Sequence, residues 1–397
     1  MRKFTNRYGR LGTETAFAVG ADAAAWSSKG YKVYPFHLGD MNIPTPEYIQ
    51  DAAMRAARDG KTGYAPGPGI LPLREALAQD IGMSRGLNLT AENISVQPGG
   101  KPVIGKFLAA LLEEGAEALY PNPGYPIYES QIEYLGAKGL PYGYVTTDQG
   151  FAINREEIES QISDKTTVLI YNNYQNPIGA ESSVEEMQWL ADLAIKHDLW
   201  VLADEAYFEV RYSGLSKSIA SLPGMAERTV ILYTFSKKFA MTGWRLGCAA
   251  GPKDVIEAIS KFNTNQESCS NHFVQVAGIA CLEGPSDPQN AILDELKLRR
   301  DALVDSLLDI EGVKVSCPET TFYLFPDVTD IFKRKGYSDS SKFRLDALYE
   351  TGVSFCSREH FGRPLPGEDK VFIRFAYSGI NVDQIKEGLA ALKSFWE

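Results

Sequence analysis

The sequence of 397 residues is short of paired cysteines, of basic charge and of long apolar runs, and each shortage removes a class of protein. Its five cysteines (Cys248, Cys269, Cys281, Cys317 and Cys356) are odd in number, scattered and never spaced Cys-x-x-Cys, which argues against a disulfide framework or a zinc knuckle. Reduced, mostly buried thiols fit the cytoplasm. A formal net charge of −11 lacks the basic face that a general nucleic-acid binder needs, although a local basic pocket can sit in an acidic protein. No stretch approaches the ~20 apolar residues of a membrane span. No unbroken apolar run follows the basic residues Arg2, Lys3, Arg7 and Arg10, so a secretory leader is not expected either. A Gly-x-Gly-x-x-Gly string is missing too, and Gly67-Pro68-Gly69 is no substitute for that dinucleotide fingerprint.

What is present is an alternation. Short apolar runs at 94–97, 116–120, 167–171, 200–203, 230–233 and 246–250 read as strands, with amphipathic helical patterns such as 103–112 and 184–197 between them. That order predicts an α/β fold with a mainly parallel sheet covered by helices on both faces. Ligands in such sheets bind outside the carboxyl ends of the strands. After about Asn290 the pattern changes to a long charged helix over 291–308, apolar runs at 313–317 and 322–325, and a last helix over 382–395. The reading is a large domain over 45–288 and a smaller α+β domain made of 1–44 with 289–397.

The chemistry concentrates around Lys237, in Thr234-Phe-Ser-Lys237-Lys-Phe-Ala-Met-Thr-Gly-Trp-Arg245. A lysine amine that can lose its proton at the mouth of a buried strand forms a Schiff base with a carbonyl. Arg245 and Thr234 add a guanidinium fork and a hydroxyl, the donors that a phosphate requires. An amine nucleophile beside a phosphate clamp suggests pyridoxal phosphate. Gly99-Gly100-Lys101 opens a helix, where backbone N–H groups receive an anion. Asp204 and Tyr207 follow the run 200–203; a carboxylate there would keep a pyridine nitrogen protonated, or would simply cap a turn. Asn176-Pro177 reads as an amide donor to a phenolate oxygen or as turn punctuation. Tyr125 would stack on a flat ring or pack in the core. Arg374 sits inside the apolar run Val371-Phe-Ile-Arg374-Phe-Ala, where an unpaired guanidinium is costly, so a carboxylate partner is expected.

In this order the motifs resemble those of the class I/II aminotransferases of the aspartate aminotransferase-like fold, from about Arg7 to the last helix. The resemblance implies pyridoxal 5′-phosphate carried on Lys237 rather than Lys238. It implies a phosphate held by Arg245, Thr234, Gly99, Gly100 and Lys101, a ring stacked on Tyr125, and Asn176, Asp204 and Tyr207 on ring substituents. The substrate α-carboxylate falls to Arg374, with Gly39 and Asn176 beside the substrate. Tyr64, in Thr-Gly-Tyr64-Ala-Pro, matches a tyrosine that reaches the phosphate across a subunit interface, which implies a homodimer with shared sites. The implied reaction is ping-pong transfer of an α-amino group from an L-amino acid to a 2-oxo acid. Elimination or cyclisation on the same fold, on an amino acid that could be cationic, is the alternative.

Departures from the family's strings cluster at the substrate side. Thr320 and Arg358 stand where glycines are customary, and different backbone freedom near the substrate mouth is expected there. Glu14 stands where dicarboxylate-specific relatives carry a small hydroxyl residue, and Lys101 matches the lysine that serves the substrate's distal carboxylate. An acid beside that lysine would neutralise it and favour a neutral or cationic side chain. A surface position, or a plain ion pair with Lys101 or Arg10, is the simpler reading of Glu14.

Overall fold

The computed structural model describes residues 3–12, 14–147 and 150–397. Across the main sheet the strands run Ile94–Gln97, Gly247–Ala250, Thr229–Thr234, Trp200–Asp204, Thr166–Tyr171, Glu117–Pro121 and Lys138–Tyr142. Six of the seven are parallel, and Gly247–Ala250 is antiparallel to both of its neighbours. Sequence and structure agree to within a residue or two, because a strand buried on both faces reads as a continuous apolar run. The edge strand Lys138–Tyr142 has no such run and passes unnoticed in the sequence.

Apolar side chains fill both faces. Leu169, Val201, Ile231 and Cys248 point into one cluster, and Val168, Leu202, Val230 and Ala249 into the other. The alternation of side chains along each strand divides them in this way. Helix Lys101–Leu111 covers the second face, with Val103, Ile104, Phe107 and Leu108 inward. A separate core gathers residues distant in sequence: Phe36, the long helix Asp287–Leu308 through Leu296, Leu303 and Leu307, and the last helix Val382–Trp396 through Leu389 and Trp396. Strand Tyr34–Pro35 pairs in parallel with Val353–Ser354, so the chain's two ends meet in one layer. A three-stranded sheet there carries Tyr323–Leu324, Ile373–Ala376 and Cys356–Ser357. The run 313–317 forms no strand, contributing only a bridge from Lys314 to Asp327. The turn Asn6–Arg10 and Gly12 behave differently from the rest of the N-terminal segment. They lie on helix Ile127–Tyr134 of the large sheet's layer, Arg10 reaching the Tyr134 carbonyl and Gly12 accepting from Ser130.

Parallel strands deliver their carboxyl ends to one edge, and the antiparallel strand starts at that same edge. Gln97, Pro121, Tyr171, Asp204 and Thr234 therefore lead out beside Arg245, which immediately precedes Leu246 and Gly247.

Candidate active site

At that edge lies a cavity of about 530 Å³, lined by Lys237, Asp204, Tyr207, Thr234, Arg245 and Gly100 from the sheet side. Gly39, Tyr323 and Arg374 close it from the side of the other core, and Glu14 of the N-terminal segment lines it beside Lys101 and Tyr125. Lys101, Tyr125 and Asn176 also line it. Gly99 stands just behind the wall, and Tyr64, 89% exposed, does not reach it.

Lys237 follows strand Thr229–Thr234 through one short helical turn, Phe235–Lys238, which Thr234 caps by accepting from the Ser236 N–H. Its amine donates to the Gly39 carbonyl at 2.9 Å and has no carboxylate within ion-pair distance among the described residues. Burial, with Arg374 and Arg245 nearby, lowers its pKa from 10.5 to about 8, against an opposing pull from Asp40. The neighbouring Lys238 is occupied elsewhere, 3.7 Å from both Asp80 and Glu209. This separates the two lysines that are adjacent in sequence.

Asp204 is buried at the end of its strand. Its Oδ2 accepts from the Tyr128 hydroxyl at 2.6 Å and Oδ1 from the Ala206 N–H at 3.2 Å, so the side chain both caps its turn and faces the cavity. Burial raises its pKa. A protonated pyridine nitrogen opposite would reverse that cost by giving the carboxylate a cationic donor. Asn172 ties the loop by donating to the Asp204 carbonyl at 2.8 Å and accepting from the Asn176 N–H at 3.0 Å. The Tyr207 hydroxyl shares a 2.6 Å hydrogen bond with that of Tyr323. Tyr128, Asn172 and Tyr323 passed unnoticed in the sequence, since a buried tyrosine in an apolar stretch reads as core; Tyr128's position three residues past Tyr125 was the one available signal.

The anion cradle is formed by close packing. Gly99 has φ +99°, and a Cβ on it would run into the Arg245 guanidinium; one on Gly100 would press within 2.7 Å of a Leu232 methyl. Gly100 caps helix Lys101–Leu111, and Gly100 and Lys101 line the cavity at the start of that helix. Arg245 donates to the Thr242 carbonyl at 2.8 Å, and no carboxylate lies within 4 Å of it among the described residues.

Arg374 departs from the sequence expectation. The anticipated carboxylate partner is missing among the described residues; instead Nη1 donates to Asn176 Oδ1 at 2.9 Å and Nη2 to the His37 carbonyl at 2.6 Å. Nε is buried without a partner, and the guanidinium lies between the rings of Tyr323 and Phe361, at 4.5 and 4.6 Å. A buried guanidinium supported by neutral groups leaves its charge for an incoming anion. Neither Thr320 nor Arg358 lines the cavity, although His360 and Phe361 of the turn that Arg358 opens do. Arg358 turns inward to Glu368 at 2.6 Å and Asn122 at 2.7 Å. The left-handed residue is Thr321, at φ +66°, pinned by its N–H to the Val210 carbonyl.

The model of the family "Aminotransferase class I and II" matches residues 33–392, most of the chain. The chain belongs to the class I and II aminotransferases. An aspartate aminotransferase of Musicola paradisiaca is 32% identical over 96% of this chain and 93% of its own. Among solved structures, the Thermus thermophilus aspartate aminotransferase with maleate has TM-score 0.90 at 28% identity, covering 99% of this chain and 100% of its own. An alanine aminotransferase from Pyrococcus furiosus has TM-score 0.91 at 25% identity, with 99% of each chain covered. This aminotransferase is accordingly a pyridoxal-phosphate-dependent transferase acting on an amino acid and a 2-oxo acid. The matches do not favour the elimination or cyclisation alternative. The residues present fit the cofactor: a nucleophilic amine, a buried carboxylate and a glycine-lined anion cradle with a free guanidinium share one cavity.

Proposed function

We propose that this aminotransferase binds pyridoxal phosphate through Lys237, Asp204, Tyr207, Asn176, Tyr125, Thr234, Arg245 and the Gly99–Lys101 turn, and reads the substrate α-carboxylate with Arg374. The single observation that carries the proposal is the convergence of Lys237, Asp204, Arg245 and Arg374 on one cavity. When bound, the cofactor supplies an electron sink for the bond that breaks at the substrate's α-carbon. The roles of the chain's own groups follow from their surroundings. Lys237 Nζ, its pKa down at about 8, would accept the α-proton as a general base and then, as a general acid, give it up on the cofactor side and not back to the α-carbon. Asp204 holds a proton on the ring nitrogen, and Tyr128 and Asn172 hold Asp204. Tyr207 presents a hydroxyl oriented by Tyr323. Arg374, fixed by Asn176 and His37, sets the α-carboxylate and thereby the direction of the bond to be broken. Gly39 offers its carbonyl to Lys237, and a Cβ there would collide with the Tyr323 hydroxyl, which reserves the position for glycine.

The two cores support a cofactor-binding unit over 45–288 and a smaller unit of 1–44 with 289–397. Tyr64, exposed in the loop between helices Glu47–Arg58 and Leu71–Arg85, supports a homodimer in which it reaches the partner's phosphate. Free cysteines throughout support a cytoplasmic location. L-Aspartate, named in two of the relatives, serves as the reference donor. Mixing the pyridoxal-phosphate form with a single L-amino acid and no 2-oxo acid tests the ping-pong reading. One equivalent of 2-oxo acid should form and the reaction should stop; continued turnover would refute it.

A further inference from the structure

Glu14, Lys101 and Tyr125 meet on the cavity wall. Glu14 Oε1 accepts from the Tyr125 hydroxyl at 2.6 Å and from Lys101 Nζ, which also stands 5.6 Å from the centre of the Tyr125 ring. Glu14 lies ahead of residue 33, where the family match begins. The Glu14 side chain is 16% exposed and that of Lys101 46%. All three line the same cavity as Lys237 and Arg374, together with the carboxylate of Asp40.

The cations of this cavity already have roles. Arg374 meets the α-carboxylate, Arg245 the phosphate, and Lys237 is the nucleophile, which leaves Lys101 for the far end of a substrate. A second substrate carboxylate would have to draw Lys101 away from Glu14. The mostly buried Glu14 carboxylate would then keep only the Tyr125 hydroxyl and face a like charge, a costly arrangement. A cationic side chain meets no such conflict. Glu14 Oε2 has no hydrogen-bond partner among the described residues, and the half-exposed Lys101 amine moves into water at little cost. We infer that Glu14 turns this aminotransferase away from dicarboxylate donors and toward an amino acid whose side chain ends in an amine or guanidinium. The inference rests on the roles proposed above for Lys237 and Arg374.

The test pairs a rate with a binding measurement on the holoenzyme. Single-turnover conversion of the cofactor is followed by absorbance with L-arginine, L-lysine, L-alanine and L-aspartate, for the wild type and Glu14→Gln. In parallel, calorimetry compares 5-aminopentanoate with glutarate, which differ at the distal group. The wild type should favour arginine or lysine over aspartate by about tenfold or more in kcat/KM, and 5-aminopentanoate over glutarate in the same direction. Glu14→Gln should shrink or invert both ratios. Wild-type ratios of one or below overturn the inference, as do ratios that Glu14→Gln leaves unchanged. If no amino acid converts the cofactor, the proposed catalytic roles fail, and the two wild-type affinities still decide the inference. They decide it also if Glu14→Gln does not fold.

Discussion

The sheet edge proposed to hold the cofactor and the lip proposed to meet the substrate are built differently. At the edge, Asp204, Asn172 and Thr234 leave strands fixed by ladder bonds on both sides, and a second polar contact locks each: Asp204 to Tyr128, Asn172 to the Asp204 carbonyl, Thr234 to Ser236. Behind it, the buried Arg85 bonds Glu205 at 2.8 Å and Glu209 at 3.2 Å and lies 3.6 Å over the Phe208 ring, clamping the loop that carries Asp204 and Tyr207. The lip gathers groups from opposite ends of the chain: Glu14 meets Lys101, Gly39 meets Lys237 and His37 meets Arg374. The first region suits chemistry common to every substrate. The second can change one residue at a time without disturbing the first, which is how one fold accepts different amino acids.

If that contrast holds, damage to the edge should cost more than damage to the lip. Lys237→Ala should lower turnover by on the order of 10⁴-fold and abolish covalent cofactor attachment, seen as loss of the visible band and of the mass increment after borohydride reduction. Retention of the increment would place attachment elsewhere. Arg85→Ala leaves Glu205 buried and unpaired. It should cost roughly 3–5 kcal/mol of stability in urea unfolding and weaken cofactor affinity with it. A loss below 1 kcal/mol would show that the clamp is not what orders the loop. Arg374→Gln removes the charge proposed to meet the substrate α-carboxylate, so kcat/KM should fall by roughly 10²-fold, while cofactor affinity changes far less. Equal losses in cofactor affinity would erase the distinction between the regions.

The edge was also the more legible region. A strand buried on both faces announces itself as an apolar run, and a polar residue just past it stands out, which is why Lys237, Asp204 and Asn176 draw notice in the sequence. Arg245 could be singled out without its reason: it precedes a strand, and only the antiparallel direction of Gly247–Ala250 brings it to the common edge. Tyr128 and Tyr323 stayed hidden, because nothing local separates a tyrosine that orients an active group from one that fills a core. Arg374 was recognised as exceptional, but its lack of a carboxylate is a tertiary fact. Thr320 stands where a glycine is customary, yet the left-handed backbone falls at Thr321, one residue beyond it, a placement that only the folded chain shows. Glu14 and Lys101 are 87 residues apart, so analogy could suggest their pairing while only the folded chain shows it.

Lys237 belongs to both regions, and its titration measures how each acts on it. The unprotonated amine attacks the cofactor aldehyde, so loading of the apoprotein should accelerate as pH rises through the lysine's pKa. With that pKa at about 8, the rate constant should grow about fivefold from pH 7 to 8 and less than twofold from pH 8 to 9. An unshifted lysine, at 10.5, would instead give nearly tenfold per unit across both intervals. Burial holds the pKa down, Asp40 holds it up, and Arg374 on the lip and Arg245 on the edge both lower it further. Asp40→Asn should therefore move the profile to lower pH and Arg245→Gln to higher pH. Stopped-flow absorbance of cofactor uptake by the apoprotein of each variant gives the two displacements directly. If neither variant moved the profile, burial alone would set the pKa, and the charges around Lys237 would not be balancing each other there.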